Sequence, residues 1–396
     1  MNTSGMRKSF RYILTSIILL TAPNSQAVDM IDTHSHFNQF EDSCYPTSGV
    51  NDALAKMATH GISQTLIMSQ PLNSFGMCHR YDNLKRVVEQ HPTKFILLGG
   101  GATLNPTLQE YSDSYIVPDS VKQDFKRHAF QALKNGAVGF GEITAEHFSF
   151  SESHLYSSAP PDHPLMLLLA DIAARYGVPI DLHMEAITEN LCTPQFLKDL
   201  SSRNPQCYSA NIARFEALLK YNRDAKIVWV HAGWGHTGER NIALMRRLLN
   251  DHPNLYMNLK FRPGKMPGGY PHAVMDSSNN LKSEWRNFFK EFPDRFMVGE
   301  DMHYPNNVSS GSLNRSRNLI DQLYQAPFTT PADAIVRDGV AFKNARDVYR
   351  LNERMVCHRM LWWLPFLADR WTRTRWVDLG SISDHIDHGD SLGPCR

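Results

Sequence analysis

Two histidines one residue apart, His34 and His36 in "VDMIDTHSHFNQF", are the first pair in the chain able to hold a metal ion. Side chains two apart on a strand project from one face, so both imidazoles can reach a single zinc at about 2.0–2.1 Å. Four more ligand-type residues stand at the ends of short apolar runs: Glu142 in "GFGEIT", His183 in "IDLHME", His231 in "WVHAGWG" and Asp301 in "VGEDMHYP". Imidazoles and carboxylates around an ion with an open position make a hydrolytic site, because the ion brings the pKa of water from 15.7 to roughly 7. A carboxylate such as Asp301 can accept that water's proton and pass it to a leaving group. His231 and the ion together can stabilise an oxyanion on a carbonyl or phosphoryl oxygen. Taken singly, each of these residues has an ordinary alternative, a hydrogen-bonded histidine or carboxylate in a core, and the chain has eighteen histidines.

The elements that carry them remove much of that ambiguity. Eight short β-rich runs begin near Val28, Gln64, Phe95, Ala137, Val178, Lys226, Leu255 and Arg295. Each interval has room for one helix and two loops, the length of a βαβ unit. Between them lie amphipathic stretches such as "NDALAKMATHG", stopping at Gly61, and "PLMLLLADIAARYG", beginning at Pro164 and stopping at Gly177. Eight alternations predict an α/β fold, a single-domain (β/α)8 TIM barrel over residues 28–357. An open doubly wound sheet is the alternative, but no glycine-rich phosphate loop follows the first strand. In the barrel all six residues fall at the carboxyl ends of strands one, four, five, six and eight, the face where barrel enzymes place their chemistry. Long loops over residues 144–163 and 186–210, after strands four and five, shape a pocket there. Lys260 and Arg262, ending strand seven, are candidates to meet an anionic substrate group, with a rim salt bridge as the alternative. Trp234, His236 and His303 are candidates for an aromatic wall or a hydrogen-bond donor, and Glu185 for orienting a ligand or touching substrate.

Composition narrows the partners. With 41 basic and 40 acidic residues the chain lacks the basic excess of a nucleic-acid binder, so a small-molecule substrate is expected, and self-association into a homo-oligomer stays open. Residues 1–27 read as a signal peptide: Arg7, Lys8 and Arg11 precede the apolar "ILTSIILLTA", and Ser25-Gln26-Ala27 offers a cleavage site. That run is shorter than the roughly 20 residues of a membrane span, so no stable span is expected after cleavage, and the location is periplasmic or secreted. Export favours disulfides, and six cysteines allow fifteen pairings. Cys44 with Cys78, in the loops after strands one and two, and Cys192 with Cys207, sharing one later loop, are the first pairs to test against free thiols. Residues 358–396 form a tail of uncertain structure with four of the seven tryptophans.

The motifs "IDTHSHF", "LHMEA", "VHAGWG" and "GEDMHYP", with the closing "AFKNARDVYRL", resemble the metal-dependent amidohydrolase superfamily, most closely its amidohydrolase-2 branch, over nearly all of residues 28–357. The resemblance implies that His34, His36 and His183 bind divalent metal, zinc being the expected ion. It further implies that His231 binds metal or polarises substrate and that Asp301 is the proton acceptor. It leaves two questions. A strand-four carboxylate bridges two metals in some members, so Glu142 is either a bridge or a carboxylate that orients a histidine, and one ion or two stay open. The aspartate is usually preceded by a small residue or threonine, whereas Glu300 adjoins Asp301 here, and neighbours on a strand face opposite ways unless it bulges. The implied activity is hydrolysis of a small ester, lactone, amide or phosphoester. The alternatives are non-oxidative decarboxylation by the same kind of site, or an exported barrel that holds metal without catalysis.

Overall fold

The computed structural model describes residues 29–38, 40, 44–71, 78, 81–261, 267, 269–305, 310–324, 330–359, 372–378 and 391–392. Eight strands follow the expected order: β1 (Met30–Phe37), β2 (Ile62–Ile67), β3 (Phe95–Leu97, resuming at Gly99–Gly100), β4 (Phe140–His147), β5 (Ile180–Met184), β6 (Ile227–Ala232), β7 (Leu255–Leu259) and β8 (Phe296–Val298). Every neighbouring pair is parallel, and β8 returns to β1 through Asp32 opposite Val298. The ring closes at the interruption in β3. Leu98 N–H donates to Ile67 O at 3.0 Å on one side and Gly99 N–H to Gly139 O at 3.0 Å on the other. The result is a closed (β/α)8 barrel.

The helices form where the sequence places its start and stop signals. Thr47–His60 ends at Gly61, whose φ of 67° only glycine takes without strain. Pro164–Tyr176 has proline in its first turn, a His163 ring that accepts from Leu165 N–H, and Gly177 as its left-handed cap. The helical segment Pro331–Val348, with a π-helical turn at Gly339–Lys343, matches the closing motif. Asn344 Nδ2 ties it to the strand by donating to Phe296 O at 2.8 Å.

Strand alternation sorts the apolar side chains into two sets. Ile31, Leu66, Ile96, Val228, Val230 and Met297 fill the barrel interior and meet Val348, Tyr349 and Leu351 at its floor. Met30, Ile67, Phe95, Phe140, Leu182, Trp229, Met257 and Phe296 face the helices. The interior above this floor is left to polar side chains, and there the chemistry sits.

Three further features were open in the sequence. Cys44 and Cys78 are joined as a disulfide with Cα atoms 4.9 Å apart, whereas Cys192 and Cys207 are unjoined. The boundary expected at residue 357 falls inside a strand, Glu353–Arg359, which pairs antiparallel with Thr372–Asp378. From that second strand Trp376 donates its indole N–H to Tyr176 O at 2.6 Å, fastening the tail strand to a barrel helix. Residues 1–28, with the expected signal peptide, lie outside the described residues, as does Arg262. Among the described residues no helix is long and apolar enough to cross a membrane.

The seam at β3 tolerates no side chain. A Cβ at Gly101 would run into the carbonyl oxygen of Ser69, and one at Gly99 would lie 2.6 Å from the Ala132 Cβ. Gly101→Ala is expected to cost about 2 kcal/mol of stability, the scale of an overpacked core, read as a lower urea midpoint at unchanged slope.

Candidate metal centre

His34 and His36 leave β1 on the same side, with their Nε2 atoms 3.1 Å apart. What lies behind each ring decides its protons. His36 Nδ1 is 3.0 Å from the carbonyl oxygen of Met68, which can only accept, so the proton sits on Nδ1. His34 Nδ1 is 3.1 Å from Asp181 Oδ1, again an acceptor. With both rings neutral and Nδ1 protonated, the Nε2 atoms turn lone pairs toward each other, an arrangement that a shared proton or a cation relieves. Two nitrogens bonded to one tetrahedral zinc would stand about 3.3 Å apart, close to what β1 provides.

Carboxylates and further histidines complete the ring. Glu142 on β4 lies with Oε2 3.6 Å from His34 Nε2 and 3.4 Å from His36 Nε2. Its Oε1 is 2.5 Å from His183 Nδ1 on β5 and 3.5 Å from His231 Nε2 on β6. Asp301 places Oδ1 3.2 Å from His36 Nε2 and 3.9 Å from His34 Nε2. Two overlapping ligand groups result, His34 with His36 and Asp301, and His34 with Glu142 and His231, each with its donor atoms within 4.8 Å of one another. His183 stands beside them through Glu142. Glu142 touches all four histidines, the geometry of a carboxylate central to the site.

The electrostatics ask for positive charge. Burial works against protonating His34 and His36, yet Asp181, Glu142 and Asp301 overcome it and draw both imidazoles upward. Burial likewise opposes ionising Glu142, and the surrounding histidines hold its carboxyl well below the usual range. His231 goes the other way: burial and then the Lys260 ammonium push it well down, so it stays neutral. Both of its ring nitrogens are buried without a hydrogen-bond partner, which a buried imidazole rarely is. Orphaned lone pairs, carboxylates and a charge deficit fit a divalent ion.

Glu300 and Asp301 lie in the stretch just past β8 and point apart. The Glu300 carboxyl is fully buried away from the histidines, and burial with Asp32 beside it pushes it well above the usual range, so it is a neutral acid. Asp301 is turned into the site by a left-handed backbone, φ 53°. Burial would raise its carboxyl, but Lys260 and His303 hold it well below the usual range. Lys260 Nζ is 2.5 Å from Asp301 Oδ2 and sits 3.5 Å from the centre of the Trp234 ring. The cation expected to meet an anionic substrate is thus already matched by Asp301. His303 Nε2 is 3.1 Å from Asp301 Oδ1. Glu185 is taken up by His236, accepting at 2.6 Å from Nδ1 and at 3.0 Å from its backbone N–H. The two long loops meet where Phe148 stacks on Tyr208 with ring centres 4.3 Å apart, and Phe150 then packs 4.4 Å from His236 and 5.9 Å from Trp234 of the loop after β6, with Trp234 5.8 Å from His231.

Three supporting residues escaped the sequence reading. Asp181 places Oδ1 3.1 Å from His34 Nδ1, and its Oδ2 accepts from Tyr349 OH at 3.3 Å. Its place two residues before His183, on the same face of β5, was the available signal. Asn258 Oδ1 accepts the His231 backbone N–H at 2.7 Å and holds that residue at φ 68°. His147, at the end of β4, lies 4.2 Å from His183 between ring centres.

No protein-family profile and no curated protein matches the chain. Among solved structures it is similar to a probable 2-pyrone-4,6-dicarboxylic acid hydrolase of Acinetobacter baumannii, with 13% identity and a TM-score of 0.46, covering 82% of this chain and 100% of that one. It is also similar to amidohydrolase 2 of Bifidobacterium longum subsp. infantis, with 12% identity, a TM-score of 0.41, and coverage of 82% and 99%. A D-hydantoinase of a Thermus species gives 12%, 0.45, and coverage of 81% and 70%. At these values the likeness assigns no activity, and the functional reading rests on this chain's own residues.

Two measurements test the centre. His34→Ala and His183→Ala should lose metal in elemental analysis, and wild-type content in both would refute the site. Asp181→Asn should keep the fold while weakening metal affinity about 10–100-fold, the usual loss when the partner behind a ligating histidine is removed.

The base of the strand-four loop carries a pH signature. Glu146 accepts from Tyr156 OH at 2.7 Å and Ser158 Oγ at 2.8 Å, yet burial pushes its carboxyl from 4.5 up to about 7. Between those values the folded protein keeps a proton that the unfolded chain has released, so stability falls as pH rises from 4.5 to about 7. Glu146→Gln should remove that fall, gaining about 3 kcal/mol at pH 8 and nothing at pH 4 in thermal unfolding.

Proposed function

We propose that the chain is an exported metal-dependent hydrolase of the amidohydrolase superfamily, directing a metal-activated water at a small ester, lactone, amide or phosphoester. One observation carries the reading: His34, His36, Glu142, His183, His231 and Asp301 converge in one buried cluster at the carboxyl ends of barrel strands, with imidazole lone pairs facing one another. The Cys44–Cys78 disulfide supports an oxidising compartment, consistent with the leader at residues 1–27.

His34, His36, Glu142 and Asp301 would hold the ion, with His183 alongside through Glu142. When bound, a zinc ion would supply a Lewis acid and bring the pKa of water toward 7. The chain's residues do the rest. Asp301, kept ionised by Lys260 and His303, takes the proton of the attacking water on Oδ1 while Oδ2 stays on Lys260. The same oxygen returns the proton to the leaving group. Neutral His231 faces the carbonyl or phosphoryl oxygen as its charge grows. Trp234 and Phe150 exclude water from the strand-six side.

The test is metal counting on the purified protein, then a screen of lactones, aryl esters, amides and phosphoesters with the ion chelated and restored. Asp301→Asn is expected to lower kcat by about 10²–10⁴-fold on any substrate found. Undiminished turnover with metal still bound would remove Asp301 from the proton-transfer role.

A further inference from the structure

The loop after β5 contains a two-stranded antiparallel ribbon, Leu191–Cys192 with Cys207–Tyr208, enclosing a short helix, Gln195–Leu200. Cys192 and Cys207 are directly opposite each other in its register, both exposed, with sulfurs 2.9 Å apart. Thr193 N–H donates to Gln206 O at 2.9 Å, which makes Thr193–Gln206 the hydrogen-bonded pair of the ladder and Cys192–Cys207 a non-hydrogen-bonded one. In such pairs the Cα atoms approach to about 4.5 Å and the side chains lie closest, within the span a disulfide bridges. The sulfurs already touch, so bonding needs no backbone rearrangement.

The ribbon is docked on the barrel mouth. Tyr208, next to Cys207, stacks on Phe148 with ring centres 4.3 Å apart and planes 23° apart. Asn204 donates to Ser149 O at 2.9 Å and accepts from Ser149 N–H at 2.9 Å. Phe148 and Ser149 lead directly into Phe150, which contacts His236 beside the metal centre. A covalent tie at Cys192–Cys207 would close the open end of the segment that braces this wall.

We propose that Cys192 and Cys207 form a second disulfide that staples the loop after β5 and holds it against the loop after β4. The bond forms by thiol–disulfide exchange with a small-molecule disulfide of the glutathione type. One thiolate attacks the disulfide and releases one thiol, the second thiolate displaces the other, and the two protein protons end on the two released thiols. The ring closed spans a sequence separation of 15. Nothing in this step depends on the hydrolase reading.

The full chain, incubated with a mixture of oxidised and reduced glutathione, acid-quenched, alkylated and digested, should yield the peptides bearing Cys192 and Cys207 joined and unalkylated. Alkylation of both, in a sample where Cys44–Cys78 is fully joined, overturns the proposal, as does pairing of either with Cys357 or Cys395. Limited proteolysis is the second readout. Cleavage within residues 186–210 should be slower in oxidised protein than in reduced protein, and Cys192→Ser should cleave alike under both conditions. Equal cleavage of oxidised and reduced wild-type protein would show that the bond does not hold the loop.

Discussion

Everything at the barrel mouth depends on one constraint: two imidazoles on β1 are fixed from behind by acceptors and so turn their lone pairs toward each other, 3.1 Å apart, inside a buried cavity. Two unshared lone pairs at that distance repel, and the low dielectric of the interior sharpens the repulsion. The surrounding carboxylates relieve it by drawing protons onto His34 and His36, and a divalent ion would relieve it better. Asp181 and the Met68 carbonyl therefore matter as much as the ligands, because rotating either ring would undo the convergence.

The barrel supplies that precision by an unequal division of labour. On β5 and β7, plain alternation aims Asp181, His183, Asn258 and Lys260 inward above the apolar floor, whereas on β4, where Phe140 faces the helices, the register with β5 shifts between Phe140 and Ile143 and Glu142 turns inward. On β1 and β6 the pairing register shifts, between Asp32 and Ser35 and between Trp229 and Ala232. Val230 is already an interior residue, so regular alternation would have sent His231 toward the helices. Its φ of 68° turns it inward instead, and Asp301 reaches the site by the same device at φ 53°. Both are non-glycine residues in a costly conformation, sustained by local partners: Asn258 for His231, and Lys260 with His303 for Asp301.

Lys260 links the Asp301 carboxylate to the pocket wall, since one ammonium meets both Asp301 and the Trp234 ring. A shift of the Trp234 loop would therefore be felt at Asp301. The wall itself is shared by three loops, through Phe150, Trp234, His236 and Tyr270, and the loop after β5 braces its outer side through Tyr208 on Phe148. Substrate selection on this scaffold would fall to these loops, while the strands would hold an ion.

How far the sequence reached differs by element. The strand starts near Phe95, Lys226, Leu255 and Arg295 and the helix stops at Gly61 and Gly177 were legible, because local propensity and caps decide them. The six ligand-type residues were legible as residues near the ends of apolar runs, but which of them turn inward was not, since the period of two fails at His231. Tertiary structure alone decided the choice of Asp301 over Glu300, which turned on one left-handed residue. It also took the Lys260 charge for Asp301, paired Glu185 with His236, and set Asp181 behind His34. These depend on contacts between strands far apart in sequence and on backbone angles that break the strand period, and composition and spacing carry no record of either.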